Sequence, residues 1–207
     1  MSKMLNGLKK ITIFSVVLLL LCGIIYPLVV TGISQVLFPN KANGSIIEVN
    51  GKEVGSKLVG QDFTDERFMK CRPSAVNYNT YTAEEKVNGT YTGVSSGSDN
   101  YAPSNPDLIT RVEEDMAEFL KNNPDVKKED IPTDLLTASG SGLDPHISPE
   151  SAKIQVANLV KTTGLAEEEL LEIIDNNTKG KFLNIFGEET VNVLGVNLEI
   201  AKKIGVI

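Results

Sequence analysis

The 207-residue sequence holds one histidine and two cysteines. A single imidazole excludes a His-rich metal centre. Two widely spaced cysteines exclude a disulfide scaffold and a structural zinc site. No acidic residue precedes Glu48, and from Ile11 to Phe38 there is neither a charged residue nor a histidine. No G-x-x-x-x-G-K-[ST] or G-x-G-x-x-G loop is present to cradle a phosphate, and no internal repeat is visible. Hydrophobic residues make up 41% of the chain, enough for a core, so intrinsic disorder is excluded. A net charge of −7 argues against nucleic acid as a partner.

The uncharged run of 28 residues would span about 42 Å as a helix at ~1.5 Å per residue, and a bilayer core needs only about 20 such residues. It exceeds the h-region of a signal peptide and no A-x-A site follows it, which favours an uncleaved single-pass anchor. Charge divides sharply at this run. Residues 1–40 carry Lys3, Lys9 and Lys10 and no acid, whereas residues 41–207 carry 17 basic and 27 acidic residues, a net −10. Lysines beside a spanning segment resist translocation, and a long domain crosses largely regardless of its own charge. The expected topology is therefore a cytoplasmic N-terminus over residues 1–10, a transmembrane helix over 11–38 and an extracytoplasmic domain over 39–207. Gly23 and Pro27 lie within the span. Proline frees a carbonyl that a neighbouring helix often satisfies, and glycines at 23 and 32 permit close helix approach.

Beyond the span the pattern is α+β, one domain on one membrane helix. Ser45–Val49 and Lys52–Gly55 flank Asn50-Gly51, a strong hairpin signal. Ser56–Phe63 is expected to continue as a strand, and Thr64–Lys70 to form a helical turn capped by Thr64. Residues 76–107 are rich in Asn, Tyr, Thr, Ser and Gly and lack periodicity; loops of that length are usually functional or disordered. Leu108, Val112, Met116, Phe119 and Leu120 recur at helical spacing, predicting a helix over Asp107–Asn122. Pro124 and Pro132 delimit a short connection. Ser148 and Pro149 suit the cap and first position of a helix that ends at Gly164. A second helix over Ala166–Asn177 follows closely, forming a helical hairpin. Phe182–Phe186 reads as a strand. Thr190–Ile204 fits either period, with helix preferred.

The run Thr137–Ser148 concentrates unusual residues. As a hydrolase it would use Ser141 as nucleophile, His146 as base and Asp144 as orienter. Those three sit within six residues, and the G-x-S-x-G elbow is absent around Ser141. As an anion site it would use Gly140 and Gly142 before a helix N-terminus, with Lys153 one turn on. The simplest reading is structural: glycines supply positive φ, Asp144 and Ser148 cap, and Pro145 directs the chain. Asp144, His146 and Glu150 are a weak metal set, as are Asp62, Asp65 and Glu66; solvated caps explain both. Cys22 lies in lipid and cannot readily reach Cys71, which is expected to be a free, packed thiol. Three N-x-[ST] triplets, at Asn43, Asn88 and Asn176, are of a kind that occurs often by chance.

An ordered set of short stretches resembles one known family. It comprises Tyr26-Pro27-Leu28, Phe38-Pro39, Ala42–Ser45, Gly55–Phe63, Arg72–Ala75, Pro103–Pro106, Thr137–Ser148, Gln155, Gly187-Glu188 and Val191–Leu194. Together they cover nearly the whole chain and resemble the C subunit of the Kdp high-affinity potassium-transporting ATPase. One departure is an insertion near Tyr81–Asn88. The resemblance implies a non-catalytic accessory subunit that stabilises a channel-like potassium-binding subunit, a P-type ATPase subunit and a small membrane peptide subunit in one pump. It also implies that ATP is a ligand, with Gln155 as nucleotide contact and a raised ATP affinity of the ATPase subunit. That last implication conflicts with the lysine-based topology, because ATP is cytoplasmic. The alternatives are a membrane-tethered extracytoplasmic serine hydrolase and a sensor or adhesion ectodomain.

Overall fold

The structure is a computed structural model that describes residues 2–91 and 93–207. Met1 in the N-terminal flank and Thr92 in the 76–107 loop lie outside the described residues. The chain divides into two compact units at Ile46/Ile47.

The first unit is helical: α1 (Ser2–Leu20), a π turn (Leu21–Ile25), α2 (Tyr26–Leu37) and the short α3 (Pro39–Ala42). Lys3–Leu37 is long and apolar enough to cross a membrane, and none of its most apolar stretch is buried within the chain. An apolar surface exposed all round needs lipid or another protein to cover it. The expected disturbance at Pro27 takes the form of the π turn. Proline has no N–H, and its ring would collide with the carbonyl four residues back, that of Gly23. Widening the preceding turn relieves that conflict, and the Tyr26 N–H donates to the Leu21 carbonyl, five residues back.

The second unit mixes helices and small sheets. Asn50 (φ 52°) and Gly51 (φ 75°) close the hairpin of β1 (Ile46–Val49) and β2 (Lys52–Ser56) as expected. Two readings just beyond it fail. The strand does not continue past Ser56: the Ser56 hydroxyl accepts from the Leu58 N–H and the chain turns away. No helix forms at Thr64–Lys70: a single turn closes from the Phe68 N–H to the Asp65 carbonyl at 3.2 Å, and Asp65, not Thr64, caps it by accepting from the Arg67 N–H. The inserted segment folds locally as α4 (Ala83–Asn88), with a reciprocal Thr82–Glu85 capping box and left-handed Gly89 at its end.

Helix α5 (Pro106–Asn122) begins at Asn105, whose side chain accepts from the Asp107 N–H. Its apolar stripe packs Phe119 against Ile131 and Leu135 in a small cluster. The main core gathers Met69, Ile147, Val156, Leu159, Leu170, Ile173, Ile174, Val191, Val193, Val196 and Ile200. It lies between α6 (Pro149–Lys153), α7 (Val156–Thr163), α8 (Glu167–Asn176), α9 (Val193–Lys203) and an antiparallel sheet. In that sheet β5 (Thr190–Asn192) lies between β3 (His146–Ile147) and β4 (Thr178–Lys179). Val191 pairs with both Ile147 and Thr178 and is fully buried.

Three expectations over this region change. The helix after Ser148 divides at Ile154-Gln155 into α6 and α7, where the Gln155 N–H bonds the Ala152 carbonyl three residues back. Phe182–Phe186 is not a strand but a tight turn closed by one bridge, with Leu183 and Asn184 at positive φ. Thr190–Ile204 divides: the first three residues form β5, and the preferred helix holds from Val193 to Lys203.

Candidate functional site

The Thr137–Ser148 run is a platform on which remote segments land. Gly60 donates its N–H to the Leu143 carbonyl at 2.9 Å, and Gly97 donates to Ser141. The Ser74 hydroxyl donates to the Gly142 carbonyl at 2.6 Å. Gly142 has φ +65° and a Cβ there would meet Gly97 O and Val76 at 2.8 Å. At Gly60 a Cβ would come within 2.6 Å of the Asp144 carbonyl and 2.7 Å of the Tyr78 ring. Gly60→Ala should therefore destabilise the second unit by about 2 kcal/mol, a typical overpacking cost. Urea unfolding of the detergent-solubilised chain checks it; a loss under ~0.5 kcal/mol would contradict the close approach.

The three residues of the hydrolase reading do not form a relay. The Ser141 hydroxyl accepts from the Leu143 N–H and lies 3.4 Å from Ser139 Oγ. His146 Nδ1 faces Asp144 Oδ1 at 3.3 Å. No hydrogen bond joins Ser141 to His146 among the described residues, so the base lacks its nucleophile. A second serine, Ser95, formally fits G-x-S-x-G within Gly93–Gly97, yet that stretch is irregular loop, not a strand-to-helix turn.

The anion-site reading also fails, for an electrostatic reason. The N-terminus of α6 already holds this chain's own carboxylate. Asp134 accepts from the Ser148 N–H at 2.7 Å and from the Ser151 hydroxyl at 2.5 Å. Lys153 is exposed. Among the described residues no group of three or more His, Cys, Asp or Glu converges to hold a metal. Asp65 of the acidic set is instead held down to about 2 by its hydrogen bond to the Arg67 guanidinium.

Asp144 takes a different part. It accepts from the His146 side chain and N–H, and Arg72 reaches it at 3.5 Å. These contacts, the His146 side chain first, hold its carboxyl below the usual range. A depressed carboxylate contributes stability above its unfolded pKa, and that contribution is lost as pH falls through the folded value. Asp144→Asn should thus be less stable than the parent at pH 7, with the difference closing as pH falls below about 4. Unfolding midpoints across pH 3–7 measure this; a pH-independent difference would contradict it.

Beside the platform lies an open cleft of about 740 Å³, lined by Lys70, Arg72, Tyr78, Arg111, Asp115 and Gln155 among others. Its half-buried cations are engaged internally. Lys70 Nζ donates to the Phe63 and Asp65 carbonyls, and burial lowers its pKa. Arg72 donates to the Thr137 carbonyl, and Arg111 pairs with Asp115 at 2.8 Å. Burial raises the Asp115 carboxyl despite that pair. Tyr78 donates its hydroxyl to the Arg72 carbonyl, and burial pushes its pKa up. Cys71 and Cys22 are both free thiols. Burial pushes Cys71 up to about 12, as expected of a packed, unreactive group.

Gln155 is 4% exposed. Its Oε1 accepts from the Lys70 N–H at 2.8 Å, and its Nε2 donates to the carbonyls of Lys70 and Ser151 at 3.2 and 3.0 Å. Both amide donors are thus used, and the cleft's half-buried cations are bonded to this chain's own groups. That donor set does not fit a nucleoside triphosphate. Sequence reading missed the twin of this clamp. Asn197 on α9, 3% exposed, accepts from the Met69 N–H at 2.8 Å and donates to the Met69 carbonyl at 2.9 Å. An asparagine within the apolar stripe Val193, Val196, Ile200 was the available signal, since a buried amide needs partners.

The chain matches a family profile described as K+-transporting ATPase, c chain, over residues 8–202. It is 65% identical over 205 residues to a potassium-transporting ATPase KdpC subunit of Clostridium kluyveri, covering 99% of this chain and 98% of that one. It is 59% identical to the KdpC subunit of Clostridioides difficile, covering 98% and 100%. It is 48% identical to that of Caldanaerobacter subterraneus subsp. tengcongensis, covering 95% of each. With one long apolar N-terminal helix, a mixed helix–strand unit and a match along nearly its full length, the chain belongs to the KdpC family of potassium-transporting ATPase subunits.

Proposed function

We propose that this chain is a non-catalytic accessory subunit of a potassium uptake pump. It stabilises the assembly of the channel-like subunit, the P-type ATPase subunit and a small membrane peptide subunit, and ATP is hydrolysed by the ATPase subunit. The observation that carries the reading is where its polar side chains go. Gln155, Asn197, Asp134 and Arg72 spend their bonds on this chain's own backbone and caps. Such a unit is built to present a surface, not to turn over a substrate. The apolar helix, interrupted by the π turn Leu21–Ile25 ahead of Pro27 and carrying Gly23 and Gly32 open on its surface, supports packing against other membrane helices.

In this reading the N-terminus is cytoplasmic, the chain is single-pass in the cell membrane, and residues 39–207 lie outside. Lys3, Lys9 and Lys10 support that orientation. A nucleotide effect then reaches the ATPase subunit through assembly, with Gln155 acting as a clamp on Lys70 and not as a ligand. The net −10 of residues 41–207 favours cations near a channel mouth only at short range, because the Debye length is about 8 Å at physiological ionic strength. Stabilisation is the main contribution and electrostatic focusing a secondary one.

Orientation is checked by thiol labelling. Cys71 is a poor reporter because its thiolate is scarce at neutral pH. Asn88→Cys, exposed at the end of α4, should react with a membrane-impermeant maleimide in intact cells. Reaction only after permeabilisation would place the unit inside and overturn the topology.

A further inference from the structure

We propose that the turn Phe182–Phe186 is a docking finger that inserts into an apolar pocket on another subunit of the same ATPase; this rests on the accessory-subunit reading. Four large apolar side chains stand outward within five residues. Phe182, Leu183, Ile185 and Phe186 are 69%, 69%, 74% and 62% exposed. Together they offer on the order of 500 Å² of apolar surface, the size at which a patch marks an interaction site. Elsewhere in the second unit, exposed large apolar residues among those described occur singly or as a neighbouring pair such as Leu58 and Val59, which is ordinary for a soluble surface.

The finger is held out by its backbone. Phe182 and Phe186 exchange N–H···O bonds of 2.8 and 2.9 Å, and Asn184 and Ile185 donate back to Lys181 and Phe182. Leu183 and Asn184 sit at φ 52° and 58°. A leucine in the left-handed region costs about 1 kcal/mol or more and persists only where the surroundings impose it. The stem runs into β4 on one side and β5 on the other, and β5 carries the fully buried Val191. The apolar tip is therefore joined to the core by a short, bonded connection.

Charge decides between a protein pocket and a lipid surface. An anionic bilayer recruits segments with a basic excess. The stem has none: Lys179 and Lys181 are balanced by Glu188 and Glu189, and Lys181 pairs with Glu188 at 3.3 Å. The unit behind it is strongly acidic. A neutral stem on an acidic unit fits an uncharged protein pocket, and membership of a multi-subunit ATPase family supplies the partner class.

The test uses the full chain in the assembled pump. A photoreactive phenylalanine analogue at Phe186, irradiated in native membranes, should give an adduct whose mass identifies another subunit of the ATPase. An adduct with lipid alone, one with a second copy of this chain, or none overturns the proposal. The double variant Phe182→Ser/Phe186→Ser should reduce the recovered complex at least tenfold in stringent detergent while its own unfolding midpoint is unchanged; undiminished recovery overturns the proposal. Recovery of the unsubstituted chain with the other subunits tests the accessory role separately, so the two failures are distinguishable.

Discussion

Deleting residues 45–207 and keeping the apolar helix should abolish potassium uptake at low external potassium and reduce recovery of the assembled pump at least tenfold. A tenfold loss corresponds to about 1.4 kcal/mol of assembly free energy. That is modest beside the surface a folded unit of 161 residues presents. The expectation follows from the proposed accessory role, in which the unit acts through its surface. Neutralising exposed acids is a different perturbation. It should raise the apparent potassium KM, more at low ionic strength than at high, because only carboxylates within a Debye length of the mouth contribute. A silent neutralisation removes focusing and leaves the scaffold role; a silent deletion removes the accessory role itself.

Asn197→Ala should cost about 2–5 kcal/mol, a large share of the ~5–15 kcal/mol that holds a typical domain together. The substitution leaves the N–H and carbonyl of Met69 unpaired, and Met69 is fully buried. Each stranded polar group costs roughly 1–3 kcal/mol. Asn197→Asp should fare no better, since the carboxylate loses the donor to the Met69 carbonyl and sets oxygen against oxygen. Gln155→Ala should lose stability by the same mechanism at Lys70. Because the two clamps grip adjacent residues, the double variant should fall short of the sum. Urea unfolding of the detergent-solubilised chain measures all four. A cost under ~0.5 kcal/mol for Asn197→Ala would show that water replaces the amide.

What was legible in the sequence is what neighbours decide. Asn50-Gly51, Ser148-Pro149 and Gly164 act within a few residues of themselves, and each sits where local chemistry puts it. The apolar run and the stripe of α5 were legible for the same reason. The clamps were not, because Asn197 and Met69 are 128 positions apart and Gln155 and Lys70 are 85 apart. The break at Ile154-Gln155 lies beside that remote bond, and the helical period carries no sign of either. Asp134 was overlooked because its target, the N-terminus of α6, lies 14 residues on. Phe182–Phe186 looked like a strand since its composition suits one; the left-handed Leu183 and Asn184 instead turn the chain back on itself. The motif Gly55–Phe63 carried the family resemblance, yet its geometry rests on Gly60 meeting a platform more than 80 residues away.

The most direct measurement is a mild-detergent purification of this chain from its native membrane, with every co-purifying protein identified by mass. The account predicts two larger membrane subunits of a potassium-transporting ATPase in fixed ratio with this chain, lost when residues 45–207 are deleted. Recovery of the chain alone, folded and monodisperse, from membranes that contain those subunits would contradict it.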